Sequence, residues 1–294
     1  MFDPFAYEFF RNGLFVATLA GALCGAVGCY VVLRTLSYIG HGLSHAVFGG
    51  FAVSSVIGIN YFIGAGLWGL GSALLIGRVG RRRIGSDAAI AIVTTASFAL
   101  GLALVDVYGT PSTNADAALF GNVLGVTTAD IVGVVVVSVF TGVVLFLRYR
   151  ALLFASFDPE VAKVSGVNTG RVDALLMVVL TLAVMVSMNI MGVTLVAAAI
   201  VVPAAAARML TQSFTRMLAL ATTIGAVSGF VGMNASYHLD VASGPTIVLT
   251  SVAVFAVAYV VETVRNHRLR PTPEPEPITP DAAPSVQPVG DLVI

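Results

Sequence analysis

Histidine is the side chain in this sequence best suited to chemistry, because its ring titrates near neutral pH and ligates transition metals. The chain has four histidines. His41 and His45 stand at i and i+4 in TLSYIGHGLSHAVFGG, so on a helix they lie one above the other on a single face. Two imidazoles so placed can share a Zn²⁺, Mn²⁺ or Fe²⁺ ion. His238 lies beside Asp240 in NASYHLDVASGP. Together the three histidines and this carboxylate form a candidate metal path. His267 sits among the C-terminal arginines and reads as a surface residue. Against the metal reading stands the plainer one, in which a histidine near a helix end is simply hydrogen-bonded structure.

Several enzyme classes lack their residues here. HGLSH has no glutamate after its first histidine, so the general base of a zinc protease is missing. No G-x-S-x-G elbow or Ser-His-Asp spacing occurs. Lys163 is the only lysine and is followed by Val164; a phosphate-binding loop requires G-x-x-x-x-G-K-[ST]. The chain is therefore not a self-contained ATP-driven pump of that type. Cys24 and Cys29 fall inside one apolar stretch and make neither a disulfide framework nor a CxxC metal pattern. They read as packing residues of a helix.

The elements that position these groups must be membrane helices. Of 294 residues, 57% are hydrophobic and only 10% charged, with a mean hydropathy of +0.96. A soluble domain carries about 25% charged residues, so a soluble enzyme, a disordered protein and a nucleic-acid binder are all disfavoured. Thirty glycines without a fixed period suit closely packed membrane helices. Apolar stretches long enough to span, at about 20 residues each, recur near 13–33, 45–59, 61–77, 88–105, 131–147, 174–190, 193–207, 217–231 and 246–261. The seventh is short and contains Pro203, so it is expected to be broken or re-entrant. The sequence thus predicts an all-α membrane protein, a polytopic bundle of eight or nine transmembrane helices. Residues 1–12 look like an interfacial segment with aromatics at headgroup depth. Asp3 and Glu8 precede the first apolar run, unlike the basic start of a cleavable signal peptide.

Arginines orient this bundle. Arg78 and Arg81 to Arg83 follow the third stretch, Arg148 and Arg150 the fifth, and Arg265, Arg268 and Arg270 the last; Lys163, Arg171, Arg208 and Arg216 occupy further loops of the same parity. Residues 107–130 and 234–245 carry no Lys or Arg. By the positive-inside rule the basic loops face the cytoplasm, which with nine spans places the N-terminus outside and the C-terminus inside. Residues 265–294 are expected to form a disordered, Pro-rich cytoplasmic tail, since alternating Pro and acid cannot bury a core. Glu274, Glu276, Asp281 and Asp291 fall after Arg270, so residues 1–270 carry fifteen basic against eleven acidic residues. The neutral total conceals a cationic membrane body of residues 13–264.

One cytoplasmic loop, FASFDPEVAKVSGVNTGRVDALL, has the pattern of a short helix between two spans. Asp158, Pro159 and Glu160 suit its start and Gly166 its stop, with a second helix beginning near Gly170. Val161, Ala162 and Val164 form a short apolar side that a partner subunit could grip; a plain interfacial linker is the alternative.

Six segments in order now carry a family resemblance: LRTLSYIGHGLSHAVFGG, SDAAIAIVTTASFALGLALV, ALFGNVLGVTTAD, FDPEVAKVSGVNTGRVDALLM, MGVTLVAAAIVVPAAAARML and SYHLDVASGPTIVL. Over about residues 5–264 the chain resembles the permease subunits of ABC-3 metal importers, which carry zinc, manganese or iron. The resemblance implies the type II ABC importer permease fold in the plasma membrane of a bacterium, with no resident cofactor. It also implies a homodimer, two cytoplasmic ATPase subunits and an extracytoplasmic metal-binding protein. Phe157, Asp158, Pro159, Glu160, Ala162, Gly166 and Arg171 match the family's ATPase-coupling segment. The family usually has an aspartate where this chain has His41, followed by the histidine matching His45; that pair contacts the metal. Histidine in place of the acid softens the site, which favours Zn²⁺ as cargo over the harder Mn²⁺, with Mn²⁺ or Fe²⁺ the alternatives. The HGLSHAVFGG form is similar to an actinobacterial-type zinc-importer branch. A stand-alone secondary carrier also fits the composition but leaves the coupling-like loop unexplained.

Overall fold

A computed structural model describes residues 4–80, 85–108, 115–121 and 125–268. A 3-10 turn at Pro4–Ala6 leads into α1 (Glu8–Leu33). There follow α2 (Ser37–Ile57), α3 (Tyr61–Val79), α4 (Ser86–Tyr108), α5 (Ala115–Phe120) and α6 (Thr128–Leu147). Two short helices, α7 (Tyr149–Phe157) and α8 (Pro159–Val164), precede α9 (Thr169–Met191), α10 (Val193–Leu210), α11 (Phe214–Leu239) and α12 (Ser243–Arg268). Among the described residues there is no strand. The chain is an all-helical bundle with the architecture of a membrane protein.

Eight of these helices, α1, α3, α4, α6 and α9 to α12, are long and apolar enough to cross a membrane. At 21 residues α2 matches them in length but is not among them, because His41, His45 and several serines dilute its apolar character. Its packing nevertheless carries it along the bundle beside α4. Gly42 meets Ile90 and Thr94, and seven residues on Gly49 meets Ser97, so the two helices run side by side in the same sense. Among the described residues α2 thus runs beside the eight apolar helices as a ninth long helix of the bundle.

Two helices cross closely at the centre. Gly21 and Gly25 of α1 face Gly225 and Ala221 of α11, and a Cβ on Gly21 would collide with the Gly225 carbonyl. Close approach of small residues is how membrane helices gain contact where lipid offers no hydrophobic drive. Cys24 is buried in the same stretch, its thiol 3.3 Å from Ser187 Oγ, and Cys29 is buried and free. Both are packing residues.

Some elements differ from the sequence reading. Residues 8–12 open α1 itself instead of forming a separate helix, and Phe10 is buried against Tyr237 at a ring distance of 5.1 Å. The apolar face of the aromatic segment thus finds protein and not only headgroups. Helix α10 is continuous through Pro203. A proline lacks one N–H, and in a membrane bundle neighbouring elements can absorb that loss. Helix α12 runs on to Arg268, so the first residues assigned to the tail are helical; residues 269–294, and Arg81 to Arg83, lie outside the described residues.

Polar contacts mark the two ends of the bundle. At the basic end Arg208 reaches the carbonyl of Val32, and Arg265 those of Met209 and Leu210. At the other end Ser243 donates to Ile190 and Thr194 to Leu119. This pairing agrees with the alternation of basic and non-basic loops.

Candidate functional site: a histidine pair and a helix at the basic end

Helix α2 begins at the basic end, just after the turn at Arg34 and Thr35. Helical spacing brings the rings of His41 and His45 edge to face, with centroids 4.9 Å apart. The His45 ring also meets Phe98 of α4 at 4.6 Å. Its Nδ1 atom is buried and has no hydrogen-bond partner. Buried polar atoms are nearly always satisfied, so an orphaned imidazole nitrogen is a group that a metal ion or water would complete. His41 is exposed.

His238 and Asp240 stand elsewhere. They end α11 at the opposite pole, both exposed, and Asp240 lines a recess of about 440 Å³ with Phe9, Tyr237 and Ser243. The three histidines and the carboxylate are therefore two separate pairs. Among the described residues no cluster of three or more His, Cys, Asp or Glu is placed to hold a metal.

A third polar centre was not singled out from the sequence. Asp130, only 6% exposed, opens α6 near the non-basic end. One of its oxygens accepts from Tyr61 of α3 and from Asn189 of α9, the latter at 2.7 Å. The other accepts from the Thr127 amide at 2.8 Å and its hydroxyl at 2.7 Å. A carboxylate offers about four acceptor sites, and all are taken. Asp130 is thus a clamp between three helices and not a vacant ligand. Thr127 with Asp130 has the capping-box pattern, the one local signal that could have marked it; Tyr61 and Asn189 are remote in sequence.

The coupling-like loop folds as its caps dictate. Asp158 Oδ1 accepts from the amides of Glu160 and Val161, at 3.2 and 2.9 Å, and Pro159 opens α8. Gly166 takes φ +84°, a left-handed conformation suited to glycine, which ends the helix. Asn168 then caps α9 through the Arg171 amide at 3.0 Å, so α9 starts at Thr169. Phe157, Val161 and Val164 are exposed at the basic end, Val164 by 91%. Ala162 is a correction to the predicted apolar side: it turns inward and packs with Leu152, Ala155 and Val172. A six-residue helix cannot present all its apolar residues outward, since one face must seat it on the bundle. Glu160 and Arg171 remain exposed on either side of Gly166.

Comparisons place this geometry among known proteins. A family model described as the ABC 3 transport family matches residues 6–262. The manganese transport system membrane protein MntC of Listeria monocytogenes is 37% identical over 254 residues, covering 86% of this chain and 90% of that one. The manganese import system permease protein ScaB of Streptococcus parasanguinis is 38% identical over 254 residues, with 86% and 90% covered. PsaBC from Streptococcus pneumoniae, solved in complex with a Fab, shares the fold with a TM-score of 0.81 at 36% identity, covering 86% of this chain and 91% of that chain. With its eight strongly apolar helices and a family match that spans nearly all of them, the chain belongs to the ABC 3 transport family, as a multi-pass permease subunit of a metal ABC importer in the bacterial plasma membrane and not itself an enzyme.

Proposed function

We propose that this permease carries Mn²⁺ into the cytoplasm, driven by separate ATPase subunits and fed by an extracytoplasmic metal-binding protein. The observation that carries the reading is the similarity of 35–38% to permeases named for manganese transport, sustained over most of the chain. It displaces the expectation of zinc, which rested on His41 and on the likeness of HGLSHAVFGG to a zinc-importer branch. One softer ligand tunes preference, whereas affinity also follows geometry and metal availability. His41 and His45 are the groups proposed to contact the ion in transit, with the free Nδ1 of His45 in support. His238 and Asp240, at the other pole, are proposed as the outer approach.

The exposed face of His41 supports a second copy of the chain as its cover, because an imidazole left against lipid is unfavourable. A homodimer would place two histidine pairs about one path. On the cytoplasmic side Phe157, Val161 and Val164 are proposed to enter the ATPase.

Uptake of radiolabelled manganese by proteoliposomes holding the permease, its ATPase and its binding protein tests this. Uptake should require ATP and be suppressed by excess unlabelled manganese more than by zinc. Uptake without ATP would favour a secondary carrier. Stronger suppression by zinc would restore the zinc reading.

A further inference from the structure

The geometry points to a binding site for an acidic phospholipid of the cytoplasmic leaflet, in the cleft between α6, α7 and α11. The cleft measures about 820 Å³. Its inner wall is apolar, with Ala26 of α1, Leu145 of α6 and Leu218 of α11. Gly142 contributes no side chain, and the space its Cβ would enter is open. The mouth is polar: Arg150 stands there with Tyr149 and Thr215, whose hydroxyls are 2.9 Å apart.

Depth and charge select the occupant. Arg148 and Arg150 follow the last turn of α6 at the basic end of the bundle, which places the mouth at the cytoplasmic headgroup level. Arg150 has no hydrogen bond or ion pair among the described residues, the single ion pair there being Arg34 with Asp173. No acidic side chain lines the cleft. Beside it Phe146 and Leu147 are exposed by 81% and 72%, as lipid-facing residues are. An apolar slot below a cation and two hydroxyls matches the order in which a lipid presents acyl chain and phosphate, and anionic lipids concentrate in the cytoplasmic leaflet. A soluble phosphate would use the mouth but leave the slot empty.

Native mass spectrometry of the full chain released from detergent, with phosphatidylglycerol, phosphatidylcholine or glycerol phosphate added, tests the site. Phosphatidylglycerol should be retained in preference to phosphatidylcholine, and glycerol phosphate should not compete. Arg150→Gln should lower that preference roughly fivefold, the effect of one basic group near an anionic surface. Gly142→Leu should remove retention of both lipids while far-ultraviolet circular dichroism and melting temperature stay unchanged. Equal retention of the two lipids by the native chain, displacement by glycerol phosphate, or unaltered retention in Gly142→Leu would each overturn the proposal. So would a homodimer that shields the cleft and retains no lipid.

Discussion

Arg34 bridges the turn before the histidine helix to the start of α9: its Nη1 lies 2.5 Å from Asp173 Oδ1. Its Nε donates to Ser156 Oγ of α7 at 2.8 Å. The arginine side chain is 10% exposed and that of Asp173 58% exposed. One residue therefore ties α1, α7 and α9 together immediately before α2 begins, at a turn where Thr35 takes φ +54°.

The two halves of this bridge should not contribute equally. Arg34→Ala removes both contacts and empties a nearly buried position, so metal-stimulated ATP hydrolysis by the assembled importer should fall well below that of the native protein. Asp173→Asn removes the charge of the more exposed partner, keeps a side-chain oxygen that Arg34 can donate to, and leaves the Ser156 contact, so its loss should be the smaller. ATP hydrolysis with and without metal, measured on both variants, checks the order. Equal loss in the two would mean that the ion pair, and not the Ser156 link, carries the tie.

The histidine pair predicts a separation of transport from assembly. His45→Ala should abolish manganese uptake while the ATPase still co-purifies, because the His45 Nδ1 has no protein partner to strand. His238→Ala, at the other pole, should lower uptake less. His41→Asp puts a carboxylate in place of the imidazole and should raise the ratio of manganese to zinc uptake, since carboxylates suit the harder ion. Competitive uptake assays read all three. Full transport by His45→Ala would remove it from the path.

How far the sequence revealed this site depends on the range of each interaction. Helices α1, α3, α4, α6, α9, α11 and α12 follow from apolar runs alone, and the caps of α8 and α9 from residues within three positions of each other. The start of α2 was harder. Hydropathy put the span at residues 45–59, but packing against α4 extends the helix back to Ser37 and so includes His41. Pro203 suggested a break because local sequence does not report what neighbouring helices tolerate. The inward turn of Ala162 and the convergence of Tyr61, Asp130 and Asn189 are tertiary facts, the last spanning 128 residues between Tyr61 and Asn189. Spacing within one segment cannot show them.

Asp130 predicts a loss of stability without a change of cargo. Asp130→Ala would leave the Thr127 amide and hydroxyl and part of the Tyr61–Asn189 pair unsatisfied, a cost of about 2–3 kcal/mol. Tyr61 and Asn189 keep their mutual hydrogen bond of 2.7 Å, which limits the damage. Asp130→Asn should be milder because it retains one acceptor. Thermal melting in detergent should rank native above Asn above Ala, with the manganese-to-zinc uptake ratio unaltered. A changed ratio would place Asp130 on the metal route.

Helix α8 offers the cleanest contrast between contact and support. Val164 is 91% exposed and Ala162 fully buried, two residues apart on the same helix. Val164→Asp should leave the permease's own stability within about 0.5 kcal/mol of native. If Val164 is buried by the ATPase, placing a charge there forfeits the gain from covering a valine, about 1.5–3 kcal/mol, and binding should weaken by roughly tenfold or more. Ala162→Asp should act the other way: a buried unpaired charge unseats α8 from Leu152, Ala155 and Val172 and lowers the melting temperature of the permease alone. Co-purification with the ATPase and melting of the isolated permease, measured on both variants, separate the two effects. If Val164→Asp bound the ATPase as tightly as the native chain, the partner would grip another part of the loop.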